Sequence, residues 1–256
     1  MICIKAGRRQ LAHCVTANRR RHMQSLIAAA ATRCPVLSKA SSASREALMR
    51  HAVLRRLDRG SCVFTHGDAA ESGYVLMEGW IKITRTQPCG AISILTLHAP
   101  GETFGFSDSI RRLSRKATAE AATACTVLSV SARSICQTMR NDPNFGDTIL
   151  GHAFQQNDSL LEQLETLKIF SGVQRLACFL IRQAKPDQER HIVRLPFNKN
   201  LVAHYLGLKP ESLSRSFARL KEHGVRTVPE GIEISDLDAL NALVGDIAGL
   251  DLRMTA

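Results

Sequence analysis

The chain reads as an α+β protein in three parts: a β-rich domain, one long helix and a terminal winged helix–turn–helix. Three observations predict this. Glycines recur at Gly60, Gly67, Gly73, Gly79, Gly90, Gly101 and Gly105 between short apolar-alternating runs, the pattern of antiparallel strands joined by tight turns. From Asn144 to Leu167 apolar residues step by three and four, as on one face of a helix. From Asn198 to Gly224 two shorter helical patterns flank a turn at Gly207, and the strand-like run VRTVPEGIEIS follows.

Composition sets the outer limits. The chain has 256 residues, 45% of them hydrophobic and 22% charged, enough for two domains that each bury a core. No stretch approaches the ~18–20 apolar residues of a membrane span. The formal net charge of +11 suits a polyanionic partner, although Met1 to Cys34 alone carries seven Lys/Arg and no Asp/Glu. Residues 1–33 therefore read as a basic extension, disordered, or as sequence upstream of a start at Met23. Its Arg-rich, acid-free composition has a superficial likeness to a transit peptide, and Ser25 to Ala31 is too short and mixed for a secretory core. The eight cysteines form no CxxC pair, and in a chain this long they read as the scattered thiols of a cytoplasmic protein.

Residues 34–143 are expected to form the β-domain. A helical entry over residues 35–48 is anchored by Leu37 and Leu48, and strands follow at Cys62-Val63-Phe64, Tyr74 to Met77, Trp80 to Ile83, Ile92 to Leu97 and Thr126 to Val130. Residues 144–169 form the long helix. Leu150, Ala153, Asn157, Leu160, Leu164 and Leu167 step by 3, 4, 3, 4 and 3 residues, an a/d seam for a two-stranded coiled coil, with Asn157 as a polar register-setting position. A single helix laying that stripe on its own β-domain is the alternative.

Residues 170–256 form the last domain. Val173, Leu176, Ala177, Leu180 and Ile181 make a core stripe, His191 to Leu195 a short strand, and Asn198 a cap for the next helix. In the following helix Leu213, Phe217 and Leu220 face inward, Pro210 suits the first helical position and Glu211 the first turn. The opposite face presents Glu211, Ser214 and Arg215. Arg forks onto guanine O6 and N7, Glu accepts from cytosine N4, and Ser bonds either kind of edge. Lys199 and Lys209 are placed to meet phosphates. A plain helical hairpin with a solvated Glu211–Arg215 pair is the alternative, and the wing predicted at Val225 to Ser235 weighs against it. A final amphipathic helix spans Leu237 to Leu250, with Leu240, Leu243 and Ile247 on one face. No Ser-His-Asp, Cys-His or metal-spaced cluster and no phosphate loop stands out, so an enzyme is not expected.

Arg59-Gly60, Phe64, Gly67-Asp68, Ser72, Tyr74-Val75-Leu76 and Gly79, followed by Pro100-Gly101-Glu102 and Gly105-Phe106, resemble the β-roll signature of cyclic-nucleotide-binding domains. Together with Glu211-Ser212-Leu213-Ser214-Arg215, the chain from about Cys34 to Leu240 is similar to the CRP/FNR family of bacterial transcription regulators, on the FNR/FixK/DNR/NnrR side. The resemblance implies a cytoplasmic homodimer that binds double-stranded DNA at a TTGAT-like inverted repeat, works with RNA polymerase and responds to oxygen, nitric oxide or redox state. It implies Glu211, Ser214 and Arg215 as the base-reading residues and the long helix as the dimer contact. Within the family a cyclic nucleotide requires a ribose-binding Glu and an Arg-Ser pair. Here Phe106 stands in place of the Glu, and Arg115 is followed by Lys116, so cyclic AMP is not the expected effector. Of the four cysteines that hold an iron–sulfur cluster in FNR, only Cys34 and Cys125 have counterparts, with Cys14 and Cys3 at irregular distances, so that cluster is not expected either. Haem remains a cofactor of the branch, with His51, His66 and His98 as axial candidates and none of them diagnostic.

Overall fold

The structure is a computed structural model that describes residues 34–184, 191–193 and 199–245. Predicted features on residues 1–33, on Leu195 and Asn198 and on Ile247 lie outside the described residues.

Two short helices, α1 (Pro35–Ser38) and α2 (Ser42–Met49), come first among the described residues, where one helical entry was expected. The break has a local cause. Lys39 closes α1, and Ser41 is extended and caps α2, its hydroxyl accepting from the Ser44 amide. Leu37 and Leu48 are both buried, as their spacing predicted.

The β-domain comprises β1 (Val53–Leu57), β2 (Cys62–Phe64), β3 (Ser72–Glu78), β4 (Ile81–Thr86), β5 (Ile92–His98) and β6 (Thr103–Phe104). Then come α3 (Phe106–Arg111), β7 (Thr118–Ala121), β8 (Cys125–Ser131) and α4 (Ala132–Asn141). The strands form two four-stranded antiparallel sheets, ordered β1-β8-β3-β6 and β2-β7-β4-β5. Inward residues of both sheets, among them Tyr74, Leu76, Ile81, Phe104, Ala119 and Val127, build one core. A second core lies beneath the helices, where Val75, Leu128 and Val130 meet Leu37, Leu48, Ile135, Phe145 and Ile149. Gly79 shows why a turn demanded glycine: its φ is +82°, and a Cβ there would collide with the Ala124 carbonyl and with Cys125.

The long helix α5 runs over Pro143–Ile169, with Asp142 capping its start and proline in the first turn. Its inner face carries the buried Phe145 and Ile149. One and two turns on, His152 Nε2 lies 2.8 Å from Thr103 Oγ1, and Gln156 Nε2 donates to the Thr103 carbonyl. The outer face carries a different set of residues, described below.

The last domain comprises α6 (Gly172–Gln183), β9 (His191–Val193), α7 (Lys199–Tyr205), α8 (Pro210–Leu220), a 3₁₀ turn at Lys221–His223, β10 (Val225–Val228), β11 (Gly231–Ile234) and α9 (Leu237–Val244). Ser171 and Gln174 form a reciprocal capping box at the start of α6. The strands make a three-stranded antiparallel sheet, β10-β11-β9, so the wing hairpin is completed by the strand that precedes α7. The domain core gathers Leu176, Ala177, Leu180, Val202, Leu206, Leu213, Leu220, Ile234 and Leu240. Leu97 of β5 joins this cluster, with Trp80 and Ile94 packed beside it. The β4–β5 hairpin and the last domain therefore share apolar surface.

Candidate nucleic-acid interface

The turn between α7 and α8 is built around Gly207, at φ +64°. A side chain there would be strained by the backbone and would crowd Arg175. Arg175 Nη1 donates to the Leu206 carbonyl at 2.8 Å, which satisfies the end of α7 and fixes the angle at which α8 departs.

α8 divides cleanly between two environments. Leu213, Ser216, Phe217 and Leu220 are buried, whereas Glu211, Ser214, Arg215, Ala218 and Arg219 are exposed. The buried set follows from apolar residues spaced three and four apart. Ser216 is tolerated among them because its hydroxyl donates back to the Ser212 carbonyl at 2.9 Å.

Each predicted site residue is accounted for. Glu211 is exposed in the first turn of α8, and Ser214, also exposed, donates its hydroxyl proton to the Pro210 carbonyl at 3.1 Å. Arg215 is exposed and reaches Ser212 Oγ at 3.2 Å. Glu211 and Arg215 do not form the solvated ion pair: among the described residues the ion pairs are Lys82–Glu120, His98–Glu102 and Arg182–Glu162. Lys209 is exposed at the N-cap of α8. Lys199, exposed at the start of α7, holds its ammonium 5.1 Å above the Phe217 ring. That contact ties the Lys199 stem to the base of α8. Sequence reading missed Arg219, one turn beyond Arg215 on the same exposed face, and Arg226, exposed on the wing strand β10. Their signal was present in the helical and strand periods.

The outer face of α5 is apolar and open. Leu150, Leu160, Leu164 and Leu167 are each about half exposed, at 50–54%. Ala153 and Asn157 are exposed between them. The stripe is exposed, and the contacts with the β-domain use the adjacent face with Phe145, Ile149, His152 and Gln156. Phe154, at 61%, and Leu161, at 52%, extend the apolar surface on one flank, a second row that the a/d template did not include.

Phe106 and Arg115, which stand at the positions a cyclic nucleotide would need, contact the chain itself. Phe106 presses on Gly73, where an added Cβ would fall 2.6 Å from its ring, and packs with the helix-side core. Arg115 is 2% exposed. Its guanidinium donates to the Gly105 carbonyl at 2.7 Å, to the Ser72 carbonyl and, more weakly, to Ser109 Oγ, and it lies 4.2 Å over the Phe64 ring. Burial pushes its pKa down, opposed by Tyr74, Asp108 and Asp68. The arginine that the resemblance offered for a cyclic phosphate is thus bound to backbone carbonyls, and Lys116 is exposed.

The cofactor candidates do not converge. Cys34 belongs to the helix-side core and Cys125 to the sheet core. Burial pushes both thiols up, away from the thiolate that a cluster needs. Among the described residues no group of three His, Cys, Asp or Glu is arranged to hold a metal. Cys3 and Cys14 lie outside the described residues. His51 and His66 are exposed, and His98 Nδ1 is 2.8 Å from Glu102 Oε2 with its ring stacked on Phe104.

Comparison with known proteins bears on both halves. Residues 54–142 match the cyclic nucleotide-binding domain model, and residues 174–243 match the Crp-like helix-turn-helix domain. The anaerobic regulatory protein of Haemophilus influenzae is 27% identical over 194 residues, 74% of this chain and 75% of that protein. The nitrogen fixation regulation protein FixK of Azorhizobium caulinodans is 26% identical over 192 residues, 72% and 76% of the respective chains. A solved structure from Ruegeria pomeroyi, named for cyclic nucleotide binding, is 34% identical, with a TM-score of 0.65 over 84% of this chain and 97% of that one. FixK2 from Bradyrhizobium japonicum has a TM-score of 0.66 at 19% identity, over 75% and 96% of the two chains, a likeness of fold.

Proposed function

The chain belongs to the CRP/FNR family of DNA-binding transcription regulators, and on that footing we propose that it acts as a homodimer on an inverted repeat of TTGAT-like half-sites, in response to oxygen, nitric oxide or redox state. The observation that carries the DNA-reading part is the split of α8: its apolar face is buried while Glu211, Ser214 and Arg215 face outward. A helix that enters a major groove must present short polar and forked side chains free of protein partners strong enough to hold them back. The bonds of Ser214 and Arg215 to their own helix are exposed and exchange readily for base edges.

In this reading Arg215 reads one guanine, Glu211 accepts from a cytosine amine and Ser214 adjusts to the neighbouring edge. Lys199 and Lys209, at the starts of α7 and α8, meet phosphates and fix the depth of insertion. Two copies joined through the outer face of α5 present two such helices, and RNA polymerase is the partner through which binding becomes regulation. The names of the anaerobic and FixK relatives support the redox side of the proposal. The bonds of Arg115 to backbone carbonyls and the phenylalanine at position 106 speak against a cyclic nucleotide as effector, despite the name of the Ruegeria relative.

Selection of bound duplexes from a random pool, followed by titration at several salt concentrations, tests the reading. Arg215→Ala should weaken the selected site by about 1–3 kcal/mol and relax preference at one position. Lys199→Ala should weaken all sequences alike and reduce the salt slope by about one. Equal loss on every sequence for Arg215→Ala would remove it from base readout.

A further inference from the structure

Outside the β-roll interior lies a cleft of about 810 Å³ between the turn that leaves α3, the segment before β3 and one face of α4. It is lined by Arg112, Arg133 and Arg140, with Glu71 as its one carboxylate and Leu113 and Cys136 between them. We propose that this cleft binds a small polyanion, a phosphorylated or polycarboxylate metabolite, through these three arginines.

Three observations carry the proposal. First, the volume lies in the range of small-molecule sites, about 300–1,000 Å³, and the walls are fixed by backbone bonds rather than by the side chains that would meet a ligand. Ser114 bridges Ala69, the Arg115 amide donates to the Asp68 carbonyl at 2.8 Å, and the Ala132 amide donates to the Glu71 carbonyl at 2.7 Å. A preformed wall lowers the ordering cost of binding.

Second, the arginines have no competing use. Among the described residues no carboxylate lies within ion-pair distance of Arg112, Arg133 or Arg140, although Glu71 shares the cleft. This contrasts with Arg115, a few residues away, which is spent on the chain's own carbonyls. Arg133 and Arg140 are seven residues apart on α4, hence on one face and about 10 Å apart along the axis. A ligand with two separated anionic groups fits that spacing, and forked guanidiniums suit phosphate or carboxylate oxygens.

Third, Arg112 is the one non-glycine residue with positive φ among those described, at +55°. A left-handed arginine is strained and persists where its surroundings over-determine it. Here the Arg112 amide donates to the Ser109 carbonyl and the Leu113 amide to Asp108, and the outcome is a guanidinium brought opposite α4. A bound polyanion would thereby clamp the end of α3 to α4, the helix that runs into α5.

The test is calorimetric titration of the full chain with inorganic pyrophosphate and, separately, with citrate, at constant ionic strength. Saturable binding of either, weakened at least tenfold in Arg112→Gln/Arg140→Gln but unchanged in the charge-matched surface variant Arg50→Gln/Arg56→Gln, is the expected result. The arm that binds more tightly tells phosphoryl from carboxylate chemistry. Binding of neither probe, or equal weakening in both variants, overturns the proposal. No DNA is present, so the outcome is independent of the reading of α8.

Discussion

Truncation of Leu164 to alanine examines the outer face of α5 most directly. Leu164 is 51% exposed in the single chain, as are its neighbours on the stripe to within a few per cent. Full burial of a leucine side chain is worth about 1.5–3 kcal/mol, so roughly 1 kcal/mol per leucine is still unrealised. A two-fold dimer changes both copies at once, and Leu164→Ala should therefore cost about 2 kcal/mol of association, or roughly 30-fold in dimer Kd. Sedimentation equilibrium reads this directly. The paired variants Leu160→Ala and Leu161→Ala then decide which row forms the contact. With the seam along Leu150, Ala153, Asn157, Leu160, Leu164 and Leu167, Leu160→Ala should match Leu164→Ala while Leu161→Ala loses less than half as much. The reverse order would move the seam to Leu150, Phe154, Asn157, Leu161 and Leu164. A chain that stays monomeric near 100 μM, or a dimer indifferent to Leu164→Ala, would refute dimerisation through this helix.

Asn157→Leu should tighten the dimer, since a polar residue at a core position sets register at a cost in stability; it should also blunt signal-dependent DNA binding, and unchanged affinity together with unchanged regulation would leave Asn157 without this role. Arg115→Ala should destabilise the β-roll by about 4 kcal/mol in urea titration, because it strips the charged donor from the Ser72 and Gly105 carbonyls and the cation from the Phe64 face; a loss under about 1 kcal/mol would contradict the bonding described. The His152 pKa is held down, chiefly by burial with a smaller push from His98 and an opposing pull from Glu102. Its neutral form is favoured in the fold, so its contribution is intact above the ordinary histidine pKa, about 6.5, and is lost as pH falls below that value. His152→Gln should accordingly flatten the stability profile below about pH 6.5, and a slope equal to the parent's would assign the acid sensitivity elsewhere.

The legible parts of this molecule are those governed by local period. The inward set Leu213, Phe217 and Leu220 follows from helical spacing alone, and with it the outward position of Glu211, Ser214 and Arg215. Strand positions followed from glycine turns. Strand partners did not: β1 pairs with β8 so that Val53 faces Ser129, a match across most of the domain that no local pattern encodes. The helix predicted from Leu237 is described over Leu237–Val244 with Gly245 at its C-cap, and the rest of the predicted span to Leu250 lies outside the described residues. Phe154 and Leu161 escaped notice because an a/d template scores one row and discards its neighbours. The arginine cleft was invisible for a different reason. Its walls come from three segments that only the sheet topology brings together, and Arg112 enters through a backbone conformation that its residue type does not announce.

What links these features is the position of α5. Its inner face is bonded to the β-roll at Thr103 through both His152 and Gln156. Near its end, Glu162 pairs with Arg182 of α6 at 3.0 Å, and Leu167 lies beside Gly207 in the turn that aims α8. Its outer face is the apolar stripe. One helix therefore meets the β-domain on one side and the helix–turn–helix domain at its end, and leaves a third, apolar surface open. A rigid-body shift of α5 against Thr103 would displace the Arg182 pair and the Leu167 contact. The helix α4, contiguous in sequence with α5, forms one wall of the arginine cleft.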